Sequence, residues 1–353
     1  MVQSSGSSVW LEGDGKRVGA GQSGRDGLAF NPVSVYVPVL NISQSEWPRR
    51  TEVRYWLSRL VPPLKDTAQD ILIFRDQLPD LSQTIASEAL EVILVDHNAL
   101  APHDAPLAPH VLHLIDHHAP SGVFQEENCS VVIEPVGSCC TLIAEQILSL
   151  QPSLVTPQVA HLLRGVILTD TGCLSDKSGR TTAKDVAMVT RLEDIVGEST
   201  ESRMEVFEAI QNAKFDLEGL SCEDIILKDM KEIGNKDLSV CLASVPLKLH
   251  TLCQYEDLEQ TLSHLSSERG YSVLLLLAFT PAKLGQMSRE LAVYSPHLVY
   301  SDQIIDLFLN SAKLDLDLEP LPPDPAVPSL RCFRQGNATA SRKQLCRLVF
   351  CLC

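Results

Sequence analysis

Three short apolar runs in the sequence end in side chains that can bind a cation. Residues 92–98 read VILVDHN, residues 112–118 read LHLIDHH and residues 166–171 read VILTDT. We predict that each run is a buried β-strand with a carboxylate at its end, and in open α/β sheets ligands bind at the carboxyl ends of the strands. Carboxylates and neutral imidazoles are suitable ligands for divalent metal ions. The candidate metal-binding side chains are Asp96, Asp116, His117, His118 and Asp170.

The number of carboxylates in these segments argues for a bound cation. Neighbouring carboxylates repel one another and need positive charge to stay ionised together. A carboxylate that bridges two metals is the arrangement used to hydrolyse phosphate bonds, and Mn2+ or Mg2+ suits mixed carboxylate and imidazole ligation. Two alternatives stay open at this point. A lone aspartate at a strand end often only caps a helix or a turn, and Asp116 could orient a ligating imidazole instead of binding the metal.

The elements around these segments predict an α/β fold with a mostly parallel sheet. Apolar residues at helical spacing predict helices over residues 138–150 and 156–164, the second with Thr156 as N-cap and Pro157 in its first turn. Strand-like runs alternate with these helices, as they do in parallel sheets. The further predicted strands are residues 34–40, 70–74, 111–115 and 130–134.

A second, smaller α/β domain is predicted after an acidic segment near residues 193–201. Its expected helices are residues 205–214 and 222–233, and its expected strands are residues 238–244, 272–279 and 290–294. Residues 1–32 are rich in Gly and Ser without periodicity, so we expect them to be disordered. The predicted organisation is therefore residues 1–32, a first domain over 33–200 and a second over 205–350.

Composition excludes several classes of protein. The net charge of −16 lacks the basic footprint of a nucleic-acid-binding protein. The N-terminal residues have no apolar core of a secretory signal, and the longest apolar run, residues 273–279, is too short to cross a bilayer. Eleven cysteines occur without a C-x-x-C pair, which favours reduced thiols in a cytoplasmic protein. We expect neither nucleic acid nor membrane as a partner.

A short basic run near the end, Ser341-Arg342-Lys343, stands out in this acidic chain. Guanidinium and ammonium groups are the usual clamp on a transferring phosphoryl group. The alternative is that the run is merely solvated surface.

With these motifs the sequence resembles the DHH phosphoesterase superfamily, named for the triplet seen here as Asp116-His117-His118. Within it, the chain is similar to the prune-type exopolyphosphatases, from about residue 33 to about residue 345. The supporting stretches are VPVLNI (37–42), ILIFRD (71–76), LVDHN (94–98), VGSC (136–139), AKFDLEGL (213–220) and QGNATASRK (335–343).

The resemblance implies a role for each motif residue. Asp96 would bridge two metals, Mn2+ or Mg2+, with His117 and Asp170 as further ligands. His118 would contact the substrate phosphate or the leaving oxygen. Arg342 and Lys343 match the S-R-K motif of the DHH-associated second domain, which binds the phosphate chain. Lys231 is a further candidate phosphate contact.

One family motif has no counterpart. The resemblance implies a D-x-D motif just after a first strand, but Asp14 and Asp26 stand alone before residue 34. We therefore expect the chain to enter the fold at its second strand, with an incomplete metal site.

Three functions follow as hypotheses. The first is a metal-dependent phosphohydrolase acting on short-chain polyphosphate or pyrophosphate, with cyclic nucleotides as a second substrate class implied by the resemblance. The alternative is a truncated, catalytically impaired form that acts as a protein-interaction or regulatory module. A RecJ-like single-strand exonuclease fits the DHH triplet, but it fits neither the acidic balance nor the S-R-K motif.

Overall fold

The computed structural model describes most of the chain. The described residues are 8–13, 35–60, 72–78, 90–124, 129–175, 179–197, 201–234, 238–280, 288–311, 314–325 and 327–350. The chain divides into two compact units, Met1–Asp216 and Leu217–Cys353. This division lies beyond the boundary expected near residues 193–201, so the helix at residues 203–214 belongs to the first unit.

The first unit is built on a six-stranded sheet. Its strands are β1 (Ser8–Gly13), β2 (Val35–Leu40), β3 (Ile73–Phe74), β4 (Leu90–Val95), β5 (Val111–Asp116) and β6 (Ser130–Ile133). Their order across the sheet is β3-β2-β1-β4-β5-β6. The pairs β2/β3, β4/β5 and β5/β6 are parallel, whereas β1 is antiparallel to both of its neighbours. The α/β class is confirmed, with β1 as the antiparallel exception in this sheet.

Strand β1 changes one expectation about the N-terminus. Residues 1–32 were expected to lack regular structure, but Ser8–Gly13 forms a strand in the middle of the sheet. The reason lies in the sheet itself, because β2 and β4 each have a free row of backbone donors and acceptors, and β1 pairs with both.

Both faces of this sheet are covered. Val92 and Leu94 of β4 pack into one apolar cluster, while Ile93 and Val95 pack into another on the opposite face. Such two-sided burial explains the continuous apolar sequence of the strand. The helices of the unit are α1 (Thr51–Leu57), α2 (Cys139–Leu150), α3 (Pro157–Asp170), α4 (Ala183–Val196) and α5 (Arg203–Lys214), and its 3-10 segments are Gln44–Arg49, Arg75–Gln77, Pro102–His110 and Pro152–Leu154.

The third predicted strand is in fact the second half of a helix. Helix α3 begins after Thr156, whose side chain accepts a hydrogen bond from Val159 N, and it continues without interruption to Asp170. An apolar run such as VIL has no period that separates a buried strand from a buried helix. Gly165 lets the indole of Trp56 pack against this helix, because a Cβ at Gly165 would lie 2.2 Å from Trp56 Cζ2. The prediction of a strand ending at Asp170 was therefore wrong.

The second unit is built on another six-stranded sheet. Its strands are β7 (Met230–Gly234), β8 (Ser239–Val245), β9 (Val273–Phe279), β10 (Arg289–Tyr294), β11 (Leu318–Pro320) and β12 (Leu330–Gln335), in the order β11-β12-β10-β9-β8-β7. Only the β8/β9 pair is parallel among these strands. The helices are α6 (Cys222–Leu227), α7 (Leu249–Leu252), α8 (Leu258–Arg269), α9 (Leu298–Asn310) and α10 (Arg342–Phe350).

The helix expected over residues 222–233 is shorter than predicted. Ser221 caps it as expected, accepting a hydrogen bond from Asp224 N at 3.0 Å, but α6 ends at Leu227. The following residues pair with β8 as the edge strand β7, so tertiary pairing overrides the helical pattern. Within the described ranges, no helix of either unit has the length and apolar character needed to cross a bilayer.

Candidate metal centre

The candidate site lies at the carboxyl ends of β4 and β5. Asp96 follows β4, and its N–H continues the ladder by donating to Ile115 O at 2.9 Å. Asp116 is the last residue of β5, and His117 and His118 follow it. Each of these four residues offers a ligand atom, and the four atoms all lie within 4.8 Å of one another. The predicted residues Asp96, His117 and His118 are thus brought together by two neighbouring parallel strands.

Asp96 has the features of a cation ligand. Its φ of 68° lies in the left-handed region, which is uncommon for a residue other than glycine and which recurs at functional sites. Its Oδ1 is buried without a hydrogen-bond partner, and His117 Nε2 lies 3.3 Å away. Burying an unpartnered carboxylate oxygen is costly unless positive charge compensates it. This observation shows that the residues present suit a divalent ion.

His117 is held in the tautomer that a metal requires. Its Nδ1 lies 2.8 Å from Val136 O, so Nδ1–H donates to that carbonyl and Nε2 faces Asp96. Metal-binding histidines are typically oriented in this way by a backbone carbonyl. The Asp96 carboxylate beside Nε2 raises the pKa of His117 to about 9, against the opposing effect of burial.

Asp116 has a different environment from Asp96. Its Oδ1 accepts hydrogen bonds from His117 N (2.7 Å), His118 N (3.2 Å) and His118 Nδ1 (2.8 Å), and its Oδ2 accepts from Asn98 Nδ2 (2.6 Å). Burial opposes ionisation, but the hydrogen bonds from His118 and its neighbours outweigh it and lower the pKa of Asp116. With both oxygens engaged, Asp116 is suited to orienting His118, the second of the two roles left open by its sequence position.

Asn98 completes this network and was not predicted as a site residue. Its Oδ1 accepts from Ser121 N at 2.8 Å, and its Nδ2 also donates to Ala119 O at 3.1 Å. These contacts fix which end of the amide faces Asp116. Residues 96–98 read DHN in the sequence, but the sequence does not indicate that Asn98 bonds to Ala119 and Ser121. The fold brings these residues together.

Asp170 lies at the C-terminus of α3 and is near, rather than inside, the group of four. Its Oδ2 accepts a hydrogen bond from Ser138 Oγ at 2.6 Å. Burial is the main reason that the pKa of Asp170 rises to about 6; the charge of Asp96 raises it further and that of His117 lowers it.

The predicted phosphate-binding residues lie in the second unit. Arg342 Nη1 donates to Asp229 O at 2.6 Å and pairs with Asp229 Oδ1 at 2.8 Å. Lys231 on β7 and Lys343 on α10 are exposed. Burial raises the pKa of Cys346, whereas Arg342 and Lys231 both lower it, so these two cations share one region of the unit.

Strand β1 bears on the missing D-x-D motif. It runs antiparallel to β4. Ser8 therefore pairs with Val95, beside the candidate site, and Gly13 pairs with Leu90, at the opposite end of the two strands. A strand in this direction delivers its carboxyl end away from Asp96. Among the described residues, the group of converging ligands consists of Asp96, Asp116, His117 and His118.

Comparison with known proteins places this chain in a family. A family model described as the DHHA2 domain matches residues 208–349. The chain is 34% identical over 315 residues to the exopolyphosphatase PRUNE1 of Bos taurus, covering 89% of this chain and 67% of that protein. It is 29% identical over 208 residues to a probable manganese-dependent inorganic pyrophosphatase of Bacillus cereus (strain G9842), covering 58% of this chain and 65% of that one. The crystal structure of a putative family II inorganic pyrophosphatase of Methanococcus jannaschii is 22% identical, with a TM-score of 0.42, and covers 72% of this chain and 78% of that chain.

The chain belongs to the DHH phosphoesterase superfamily, in its family of prune-type exopolyphosphatases. The family and the hydrolase class predicted from the sequence are confirmed.

Proposed function

We propose that this chain hydrolyses the terminal phosphoanhydride bond of short-chain polyphosphate or pyrophosphate with a divalent metal ion, Mn2+ or Mg2+, in a two-metal site. The convergence of Asp96 Oδ1, buried without a hydrogen-bond partner, and His117 Nε2, fixed in orientation by Val136 O, carries the proposal. Asp96, His117 and Asp170 would hold the metal ions of this site. When bound, the cation supplies the positive charge that offsets the phosphate oxygens and favours deprotonation of a water nucleophile.

His118 is the protein group that meets the substrate. Asp116 Oδ1 holds its Nδ1 at 2.8 Å, and the side chain is 59% exposed. The ring therefore presents Nε2 to solvent in a defined orientation, where Nε2–H donates a proton to the leaving phosphate oxygen as the P–O bond breaks. Geometry of this kind is the first requirement of a general acid.

Arg342, Lys343 and Lys231 supply the positive charge that binds the phosphate chain. A guanidinium can bind phosphate oxygens through two parallel hydrogen bonds. Arg342 is already oriented by Asp229, which reduces the side-chain entropy lost on binding. We expect Arg342→Ala to raise KM for tripolyphosphate more than it lowers kcat.

The setting of the reaction follows from composition and cysteine chemistry. All nine cysteines within the described ranges are free, and seven of them are buried, which supports a reducing, cytoplasmic location. The net charge of −16 supports a small anionic substrate held by cations rather than nucleic acid.

The alternative is a catalytically impaired chain that acts by binding regulatory partner proteins. The antiparallel direction of β1 favours this alternative, because the carboxyl end of β1 pairs with the start of β4, at the end of the strand far from Asp96. Fewer carboxylates leave two cations less fully compensated.

Phosphate release from tripolyphosphate and pyrophosphate in Mn2+ separates the two functions. We expect the unsubstituted chain to turn over, with Asp170→Asn and His117→Gln lowering the rate by at least about tenfold. Asp194→Asn is the matched control, since Asp194 is exposed on α4. Turnover that Asp170→Asn leaves unchanged would contradict the assigned ligand set. No turnover by a chain that binds Mn2+ would favour the alternative. Cyclic nucleotides, assayed in parallel, test the second substrate class.

A further inference from the structure

A three-residue segment between β6 and α2 orients two of the proposed metal ligands. Val136 O accepts the hydrogen bond from His117 Nδ1 at 2.8 Å. Ser138 Oγ donates to Asp170 Oδ2 at 2.6 Å. The position of residues 136–138 therefore sets the direction of the His117 ring and of the Asp170 carboxylate at the same time.

Asp185 on α4 anchors this segment. Its Oδ2 accepts hydrogen bonds from Gly137 N (2.8 Å), Thr182 N (2.7 Å) and Thr182 Oγ1 (2.7 Å), and its Oδ1 accepts from Thr141 Oγ1 (2.6 Å). The side chain is fully buried. One carboxylate thus ties together residues 136–138, the start of α2 and the start of α4.

This arrangement exceeds an ordinary helix cap. Thr182 and Asp185 form a capping box, which by itself needs only contacts within the first turn of α4. The bonds from Gly137 and Thr141 come from residues 48 and 44 positions away in the sequence. Burying a carboxylate to make them is costly unless its acceptor sites are filled, and here four donors fill them.

Gly137 is closely confined, so the segment cannot shift freely. A Cβ at this position would lie 2.6 Å from Thr171 Cγ2, 2.8 Å from Asp185 Oδ2 and 3.0 Å from Arg180 O. Thr171 directly follows Asp170, so the same packing links the segment to the end of α3. Loss of the Asp185 anchor would release one side of this contact and leave the N–H of Gly137 without its acceptor.

We propose that Asp185 is a positioning residue of the metal centre, acting through residues 136–138 to orient His117 and Asp170. The inference rests on the proposed metal site. Groups that orient metal ligands typically change metal affinity by about 10- to 100-fold when they are replaced, and Asp185 acts on two ligands through one segment.

The test is a calorimetric titration of the whole chain with Mn2+ alone, so that no turnover is needed. We expect Asp185→Ala to weaken Mn2+ binding by about 10- to 100-fold. Asp185→Asn should retain most of the affinity. Its amide oxygen can replace Oδ2 toward the two backbone N–H groups, and its NH2 can face the Thr141 hydroxyl, which turns to accept.

Two controls separate positioning from general loss of stability. Leu192→Ala removes a buried side chain from the same helix, so it lowers the stability of the same element while all four hydrogen bonds of Asp185 stay in place. Asp194→Ala removes an exposed carboxylate from that helix. Both variants should bind Mn2+ as the unsubstituted chain does.

If Asp185→Ala does not fold, Gly137→Ala perturbs the same segment with Asp185 in place, and it should also weaken Mn2+ binding. Wild-type affinity in the folded Asp185→Ala or Gly137→Ala chain would overturn the inference, as would an equal loss in Leu192→Ala. In either case a normal titration of the unsubstituted chain would leave the proposed function standing. No Mn2+ binding by the unsubstituted chain would instead overturn the proposed function and this inference with it.

Discussion

The substitution Asp116→Asn tests whether the two aspartates of the site have different tasks. Three donors converge on Asp116 Oδ1, and Asn98 Nδ2 donates to Oδ2 at 2.6 Å. An asparagine keeps the oxygen at the Oδ1 position but places its NH2 against the NH2 of Asn98. Reversing the Asn98 amide does not relieve the conflict, because its Oδ1 accepts from Ser121 N and its Nδ2 donates to Ala119 O.

The size of the effect follows from these contacts. A hydrogen bond to a charged group contributes about 1.5–3 kcal/mol, and a buried donor without an acceptor costs about 1–3 kcal/mol. Asp116 is fully buried, so solvent offers no replacement partner. We expect the free energy of unfolding of the first unit to fall by about 3 kcal/mol, while Mn2+ still binds because Asp96 and His117 are untouched. Asp96→Asn should show the opposite pattern, with weak Mn2+ binding and little loss of stability.

Tryptophan fluorescence is the appropriate probe for unfolding in urea, because all three tryptophans, Trp10, Trp47 and Trp56, belong to the first unit. Calorimetry gives the Mn2+ affinity and stoichiometry of the same samples. Asp194→Asn serves as the control for removing one negative charge. Loss of Mn2+ binding in Asp116→Asn with unchanged urea unfolding would make Asp116 a metal ligand and refute the reasoning.

Three further predictions concern stability. Gly165→Ala should lower the free energy of unfolding by about 2 kcal/mol, because the overlap with buried Trp56 exceeds the gain of about 1 kcal/mol in helix propensity; a wild-type urea midpoint would contradict this packing. Burial lowers the pKa of His161 below 6.5, so the contribution of the neutral ring to stability is fully present above that pH and is lost as the pH falls through the lowered value. Unfolding curves of His161→Phe at pH 5.5 and 7.5 should therefore differ less than those of the unsubstituted chain. Mn2+ at about 100 times its Kd should stabilise the first unit by about 2.7 kcal/mol, and a chelator should remove this gain in thermal unfolding.

Local sequence patterns determined much of the fold. The apolar runs before Asp96 and Asp116 predicted β4 and β5, because a strand buried on both faces needs apolar side chains at successive positions. Thr156 and Pro157 predicted the start of α3 through contacts within one helical turn. The sequence also indicated that Asp96 and His117 lie close together, because neighbouring parallel strands have their carboxyl ends on the same side of the sheet.

Other features depended on partners that the sequence does not place side by side. Asp170 lies at the end of a helix because that helix packs against Trp56 through Gly165, and no local period distinguishes this from a strand. The position of β1 in the sheet depends on its backbone hydrogen bonds with β2 and β4, which are distant from residues 8–13 in the sequence.

The distinction between the two aspartates shows most directly what only the tertiary structure decided. Asp96 directly follows β4, Asp116 is the last residue of β5, and each precedes a histidine, so their sequence positions are alike. Only the fold gives Asp116 its hydrogen bond from Asn98 and leaves Asp96 Oδ1 buried beside His117. The residue types define the candidate ligands, whereas long-range hydrogen bonds decided which buried carboxylate oxygen has no hydrogen-bond partner.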